Sequence, residues 1–465
     1  MDGLEAVEIK YSDLQKLKTM RIDNEYFSKC YIENEALLQK FGYRSIGKIV
    51  GTITDFGAYS QTNFIELQEQ GVNFFRNQDV KNNTIDNSGC AKISNEVYNK
   101  LTLKLQMNDI LIPRTGTLGN ACVISENHLP ASANQNLAVL RDIQTMLPHY
   151  VAVVLCSKVG LLQINRNSTG NVQQWLNLDA IKGIKIPTAT ENFQKEIQAI
   201  IKNSEKLLDE SKNIYNCAEQ LLTDYLKVHS QKKTWKNSSV KMLGDSFNIT
   251  GRLDAEYYHP KYEQYEKTVK ESKIGFTLIK DKFEPITERC DRTLSQYQYI
   301  EIGDINVGTG IATPNVVLTE ELPANAKIMT KANDILVSTV RPNRGAVSIL
   351  TQDDLLVSGA FTVLRESSDY PKEVLQVLLR LEMYRDWLLR YNVGTSYPVI
   401  KDADVLNLPI PIFDSETTES VVENIRKSYD LRECSKHLLN IAVKTVEMAI
   451  ETNEEEALLW LKSQG

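Results

Sequence analysis

Two arginine-bearing turns are the stretches of this chain best equipped to hold a partner. The first is Asn108-Asp109-Ile110-Leu111-Ile112-Pro113-Arg114-Thr115-Gly116-Thr117-Leu118-Gly119-Asn120, in which Arg114, Thr115, Thr117 and Asn120 follow a short apolar run. The second is Asn333-Asp334-Ile335-Leu336-Val337-Ser338-Thr339-Val340-Arg341-Pro342-Asn343-Arg344-Gly345, with Arg341, Asn343 and Arg344 just past the same kind of run. Glycine in such a turn lets backbone approach a partner closely. Arginine beside threonine or asparagine is the donor set for phosphate oxygens and guanine edges. A plain hairpin with a solvated arginine would read alike, and recurrence brings the binding reading level with it. A second polar group follows each turn. Asn165 to Trp175 carries Asn171, Gln173 and Gln174, and Arg390 to Pro398 carries Thr395, Ser396 and Tyr397. Amides and hydroxyls suit base edges, although a polar turn ahead of a strand looks the same.

The recurrence extends along the chain. Gly170 and Pro187 return as Gly394 and Pro411, both pairs 224 residues apart (394 − 170 and 411 − 187). Ala138-Val139-Leu140-Arg141 returns as Thr362-Val363-Leu364-Arg365, and Arg21-Ile22-Asp23-Asn24-Glu25-Tyr26-Phe27 as Arg252-Leu253-Asp254-Ala255-Glu256-Tyr257-Tyr258. A repeat this long is a copied domain rather than a solenoid unit. Two similar domains can face a partner of approximate two-fold symmetry, such as duplex DNA.

Each copy predicts a mixed region followed by one long helix. The mixed region opens with a helix over 21–40 or 252–272. Short Val/Ile-rich runs then read as strands: 109–113, 121–125 and 137–141 in the first copy, 334–339, 346–350 and 361–365 in the second. A further helix is expected over 147–163 and 372–390. After Pro187 no Pro or Gly occurs until Gly244, and apolar or small residues recur at alternating steps of four and three, the pattern of a coiled-coil seam. Ile197, Ile201, Leu207, Ile214 and Leu222 map by 224 onto Val421, Ile425, Leu431, Leu438 and Val446. About 35 residues of helix span about 50 Å. The matched seams favour the two helices packing antiparallel as a spacer, against the alternative that each folds back on its own domain.

The fold class expected is α+β: two similar mixed α/β domains separated by two long antiparallel coiled-coil helices, a pseudo-two-fold internal repeat. The boundaries are 1–190 for the first domain, 191–235 for the central helix, 236–412 for the second domain, 413–452 for the distal helix and 453–465 for an acidic tail. From Asp414 onward 11 acidic residues face 6 basic ones, so the tail region holds most of the net charge of −7. That balance argues against indiscriminate coating of nucleic acid, though not against a local basic face.

Several chemistries are excluded. The chain has no phosphate loop, no dinucleotide-binding glycine motif, no His-Glu-x-x-His and no nucleophile elbow. The five His have no ligand spacing, and the seven Cys are scattered and odd in number, which predicts reduced thiols in a cytoplasmic protein. No run approaches a membrane span, and no secretory signal is visible at Met1-Asp2-Gly3-Leu4-Glu5. No catalytic residue, metal or bound cofactor is expected.

The order and duplication of these motifs, with Ile186-Pro187 leading to Phe193-Gln194 at a helix entry, resemble the specificity (S) subunits of type I restriction-modification systems. The resemblance covers nearly the whole chain. It implies a non-catalytic subunit that reads a bipartite double-stranded DNA site, one half per target-recognition domain. It also implies that the helices dock two methyltransferase (M) subunits, which would hold S-adenosylmethionine, and that restriction (R) subunits join them. Thr418 stands where the first copy has Gln194, so the docking surface is expected to differ between the halves. The alternatives are a coiled-coil scaffold with two protein-binding heads, a free-standing DNA-binding regulator, and the specificity subunit of another phage-defence methylation system.

Overall fold

The computed structural model describes residues 7–14, 22–57, 65–68, 70–85, 89–170, 174–227 and 238–464. It divides into two compact units, residues 1–209 with 432–465, and residues 210–431. The division falls inside both long helices, Glu191–Tyr225 and Ser415–Glu451. The expected boundaries at 190 and 412 are therefore not those of the compact units, because each unit takes in a length of both helices. The boundary expected at 235 lies outside the described residues.

The first unit is built on a four-stranded antiparallel sheet in the order Val50–Thr54, Leu137–Ile143, Ile110–Pro113, Cys122–Val123. A second sheet places Val72–Phe75 between Ala91–Ile93 and Ala131–Ala133, the latter pairing parallel. Tyr43–Ser45 pairs with Lys185–Pro187, and Val80–Lys81 forms a hairpin with Thr84–Ile85. The helices Pro148–Cys156 and Lys158–Asn167 cover the first sheet, broken at Ser157, whose hydroxyl caps the second by accepting from Gly160 N.

The second unit has the same plan. Its first sheet runs Phe283–Pro285, Phe361–Glu366, Ile335–Ser338, Val347–Ile349, all antiparallel. Its second sheet again pairs a central strand, Gln296–Ile300, parallel with a later one, Leu355–Ser358. Phe276–Leu278 pairs with Pro409–Pro411, and Ile305–Asn306 with Ile311–Ala312. Lys372–Arg380 and Glu382–Leu388 are the covering helices.

One clasp explains why Asn-Asp-Ile-Leu and Val-Leu-Arg recur together. Asn108 and Asn333 take left-handed backbone, with φ of 69° and 75°, which asparagine tolerates. The next residue, Asp109 or Asp334, is buried. Asp109 accepts from Gln106 N at 2.8 Å and is gripped by Arg141 at 2.9 and 2.6 Å. Asp334 accepts from Lys331 N at 2.8 Å and is gripped by Arg365 twice at 2.7 Å. The turn entering one strand is thus tied to the strand beside it. A second recurring contact lies outside the sheet. The Arg166 guanidinium stacks on Tyr26 and pairs with Glu35 at 2.8 Å; Arg390 stacks on Tyr257 and meets Glu266 at 3.3 Å.

That stacking corrects the helix expected over 21–40 and 252–272. The helices are Lys29–Phe41 and Pro260–Lys270. Ahead of the first, Asp23 Oδ1 accepts from Tyr26 N at 2.9 Å and makes a tight turn instead. Arg21 lies outside the described residues.

Within each unit the long helices pair with one another and pack on that unit's domain. In the first unit Ser204 and Ser435 are buried and their hydroxyls meet at 2.7 Å; in the second Ser211 and Ser428 meet at 2.9 Å. In the first unit Thr190, at the start of one helix, also bonds Glu454, past the end of the other, and in the second Tyr225 packs edge-on against Phe413, so within each unit the pairing is antiparallel. The same helices also pack on their own domains. Ile197, Ile201 and Val446 lie in the core with Tyr150 and Val153, and Leu222, Val421 and Ile425 lie in the core with Trp387. These six are buried in this chain and do not present a surface to a partner subunit; Leu207, Ile214, Leu431 and Leu438 are half-buried. Gln194 is also buried, its side chain accepting from Leu147 N and donating to Ala189 O, both at 2.8 Å. It pins a helix start rather than lining a docking surface. The acidic segment 453–465 is no free tail either: Glu454–Lys462 is a helix capped by Asn453, with Ala457 fully buried in the first unit.

Candidate nucleic-acid interface

In the second unit the two polar signals read from the sequence come together. Arg341 N donates to Pro398 O at 2.7 Å, Val340 pairs with Val399, and the Arg341 guanidinium lies 5.4 Å from the centre of the Tyr397 ring. Arg341, Asn343, Arg344, Thr395, Ser396 and Tyr397 are all exposed. Among the described residues Arg341 and Arg344 have no ion-pair partner. The turn is built rather than loose. Pro342–Arg344 is one turn of 3-10 helix, entered through Arg341 at φ 52° and left through Gly345 at φ 74°. A left-handed arginine costs about 1–2 kcal/mol. Gly345 has no room for a side chain, since a Cβ there would lie 2.7 Å from Arg385 Cδ.

The first unit repeats the frame with different chemistry. Gly119, at φ 89°, sits under Leu161 as Gly345 sits under Arg385. Arg114, however, does not project. It is 6% exposed, its Nη1 lies 2.5 Å from Asp55, its Nε donates to Leu176 O, and its guanidinium covers the Trp175 ring at 4.5 Å. This corrects the expectation of a free side chain in the turn. Thr115 is buried and its carbonyl accepts from Asn77; Thr117 Oγ1 donates to Asn77 O, and Asn120 Nδ2 to Val80 O. Gln174 is exposed, while Asn171 and Gln173 lie outside the described residues.

Nor is Arg114 the counterpart of Arg341. Leu176 N donates to Arg114 O, and Ile400 N to Thr339 O; Arg114 N donates to Asn136 O, and Thr339 N to Ala360 O. By both pairings Thr339 occupies the place of Arg114, and Arg341 falls two residues further on. Matching by residue type paired the wrong arginines.

Sequence reasoning also missed the hairpins that flank both turns. Asn83 N donates to Ala121 O and Asn82 bridges to Ala121, so 80–85 rests on the turn in the first unit. In the second unit Arg380 holds Val307 O and Gly308 O at 3.0 and 2.8 Å, and Gln376 holds Gly310 O at 3.2 Å. The signal was present in Arg76 to Asp79 and Glu301 to Asp304, both ending in a capping aspartate ahead of a Val or Ile strand.

A half-buried and a buried titratable group, Glu205 and His149, lie in the first unit on and beside its stretch of the long helix. Burial, with Asp209 adding to it, raises the Glu205 carboxyl to about 7. Burial, helped by Lys202, lowers His149 to about 4, and its Nδ1 lies 3.0 Å from Gln198 Nε2. Among the described residues no group of three His, Cys, Asp or Glu could hold a metal ion, and no helix is long and apolar enough to cross a membrane.

Residues 44–220 match the family described as type I restriction modification DNA specificity domain. The chain is also similar to the S subunit of a type I restriction-modification system from M. genitalium, at 13% identity and TM-score 0.39, over 88% of this chain and 95% of that one. The HsdS subunit from Thermoanaerobacter tengcongensis matches at 10% identity and TM-score 0.28, over 89% and 97%. No curated protein matches.

Proposed function

We propose that the chain is the sequence-specific DNA-binding specificity subunit of a type I restriction-modification complex, reading a bipartite site with one domain per half. The observation that carries this is a braced turn on which Arg341 lies over the Tyr397 ring, with Arg344, Thr395 and Ser396 also exposed. Strained backbone under an exposed arginine is the kind of feature that function retains. Arginine can grip guanine bidentately, the hydroxyls can take phosphate or base edges, and the tyrosine ring offers a stacking face. In this reading the antiparallel helices hold the two readers apart, and half-sites on one face of B-DNA recur about every 34–36 Å. The helices' solvent-facing sides dock two methyltransferase subunits carrying S-adenosylmethionine, and restriction subunits join that core. With a net charge of −7, the chain relies on the methyltransferases for much of the phosphate-binding surface. It acts in the cytoplasm and performs no chemistry itself.

A gel-shift titration with and without the methyltransferase subunits tests the reading. Specific binding that appears only in their presence supports it. A coiled-coil scaffold would bind no DNA in either case, and a free-standing regulator would bind equally well alone.

A further inference from the structure

The burial of Arg114 and Thr115 leaves the first unit without the exposed arginine turn that serves the second. We propose that the hairpin Val80–Ile85 supplies the DNA contact there instead, with Lys81 on a backbone phosphate and Asn82 on the adjoining phosphate or base edge. This rests on the DNA-binding reading above and names the element that carries it in the first unit.

The hairpin is short and two-faced. Val80 pairs with Ile85 and Lys81 with Thr84, so the first pair faces one way and the second the other. Val80 and Ile85 are buried in the core with Phe75 and Val139. Lys81 is exposed, and among the described residues it has no ion-pair partner. The tip is Asn82-Asn83, closed by Asn83 at φ 56°. Asn83 Nδ2 donates to Asn82 Oδ1 at 2.8 Å, which turns the Asn82 amide so that its own Nδ2 remains a donor.

The tip is held rigidly beside the turn that the second unit uses. Ala121 O accepts from Asn83 N at 2.9 Å, and Val80 O from Asn120 Nδ2 at 3.3 Å. Cys156 braces it from the covering helix through its contacts with Ala121 and Asn83. The second unit braces its hairpin from the matching helix position, Arg380 (380 − 156 = 224), which grips Val307 O and Gly308 O. There the tip, Asn306 to Gly310, carries no cation, while Arg341 and Arg344 are exposed on the turn. Each unit thus has, among the described residues, a braced element that exposes a cation beside this turn, Lys81 on the hairpin in one and Arg341 with Arg344 on the turn itself in the other. Preorganised donors lose little freedom on binding, and a two-stranded ribbon fits the major groove.

The test uses the full chain with its methyltransferase subunits, titrated with the methylated target duplex at two salt concentrations, with phosphate-ethylation interference read on each half-site. Lys81→Ala is expected to weaken binding several-fold, lower the salt slope by about one and relieve interference at one phosphate of one half-site. Lys81→Arg should restore all three. Asn82→Ala should weaken binding with no change beyond that half-site. If Lys81→Ala keeps wild-type affinity, slope and interference while Arg341→Ala weakens binding, the hairpin assignment is overturned and the DNA-binding reading stands. If the wild-type complex binds no duplex selectively, both are overturned.

Discussion

Removing the buried carboxylate of the clasp should unlock the second unit's main sheet. In Asp334→Ala, Lys331 N loses its acceptor and Arg365 loses both its 2.7 Å bonds. Deleting one partner of a buried ion pair costs about 3–5 kcal/mol. Asp334 is fully buried, but the Arg365 side chain is 30% exposed and can regain water, which places the cost near the lower end, at about 3 kcal/mol. That is roughly a hundredfold in the unfolding equilibrium of the unit. Asp334→Asn keeps one acceptor and should cost about half as much. Amide hydrogen exchange across Ile335–Ser338 and Phe361–Glu366 reads the effect locally, and the strands of the first unit serve as the internal control. Asp334→Ala with Arg365→Met should be milder than the sum of the singles, by about 1 kcal/mol or more, because neither charge is then stranded. Unchanged protection in those two strands, or strictly additive singles, would refute the clasp as the reason the motif recurs.

Three further outcomes follow from the same contacts. Gly345→Ala and Gly119→Ala each force a Cβ into left-handed backbone against Arg385 or Leu161, at about 1–3 kcal/mol, read as a fall in denaturation midpoint; wild-type midpoints would show that the helix side chains simply yield. Glu205 has a folded pKa of about 7, above its unfolded value, so the native state holds the extra proton and stability falls as pH rises from about 4.5 through 7. Glu205→Gln should therefore raise the melting temperature at pH 8 and leave it unchanged near pH 4, whereas His149, neutral in the fold, opposes that trend between about 6.5 and 4. Arg341→Ala should cost the methyltransferase complex about 1–3 kcal/mol on its target if the contact is a guanine edge, with loss of preference at one base pair, or act uniformly across sequences if it is a phosphate; Arg344→Ala separates its neighbour, and two silent variants would leave Thr395–Tyr397 as the reading element.

The sequence carries its plainest information where one residue has one physical job in both copies. Asp109, Arg141 and their counterparts Asp334 and Arg365 were visible as repeated strings, and the same clasp joins them in both units. The helices were legible from Ile197 to Val446 because burial fixes apolar type at each step. What the string could not show was which surface each apolar residue meets: six of the ten seam residues lie in their own units' cores. The candidate surface was half legible. Arg341 and Thr395–Tyr397 were read as two separate signals, and Arg341 lies over the Tyr397 ring. Arg114 was misplaced because one arginine in a glycine turn looks like another. The backbone bonds of Arg114 and Thr339, to Leu176 and Asn136 in one unit and Ile400 and Ala360 in the other, make those two residues counterparts and put Arg341 two residues further on. The hairpins went unseen because two-residue strands leave almost no periodicity to read.

The central claim is that each unit reads its own half of a split DNA site, and sequencing the methylated positions of a swapped chain tests it most directly. Residues 1–190 would be replaced by the corresponding domain of a relative and the complex reconstituted with its methyltransferase subunits. The account predicts a bipartite target in which one half changes and the other half and the spacer remain. A continuous target, or a swap that rewrites both halves, would contradict it.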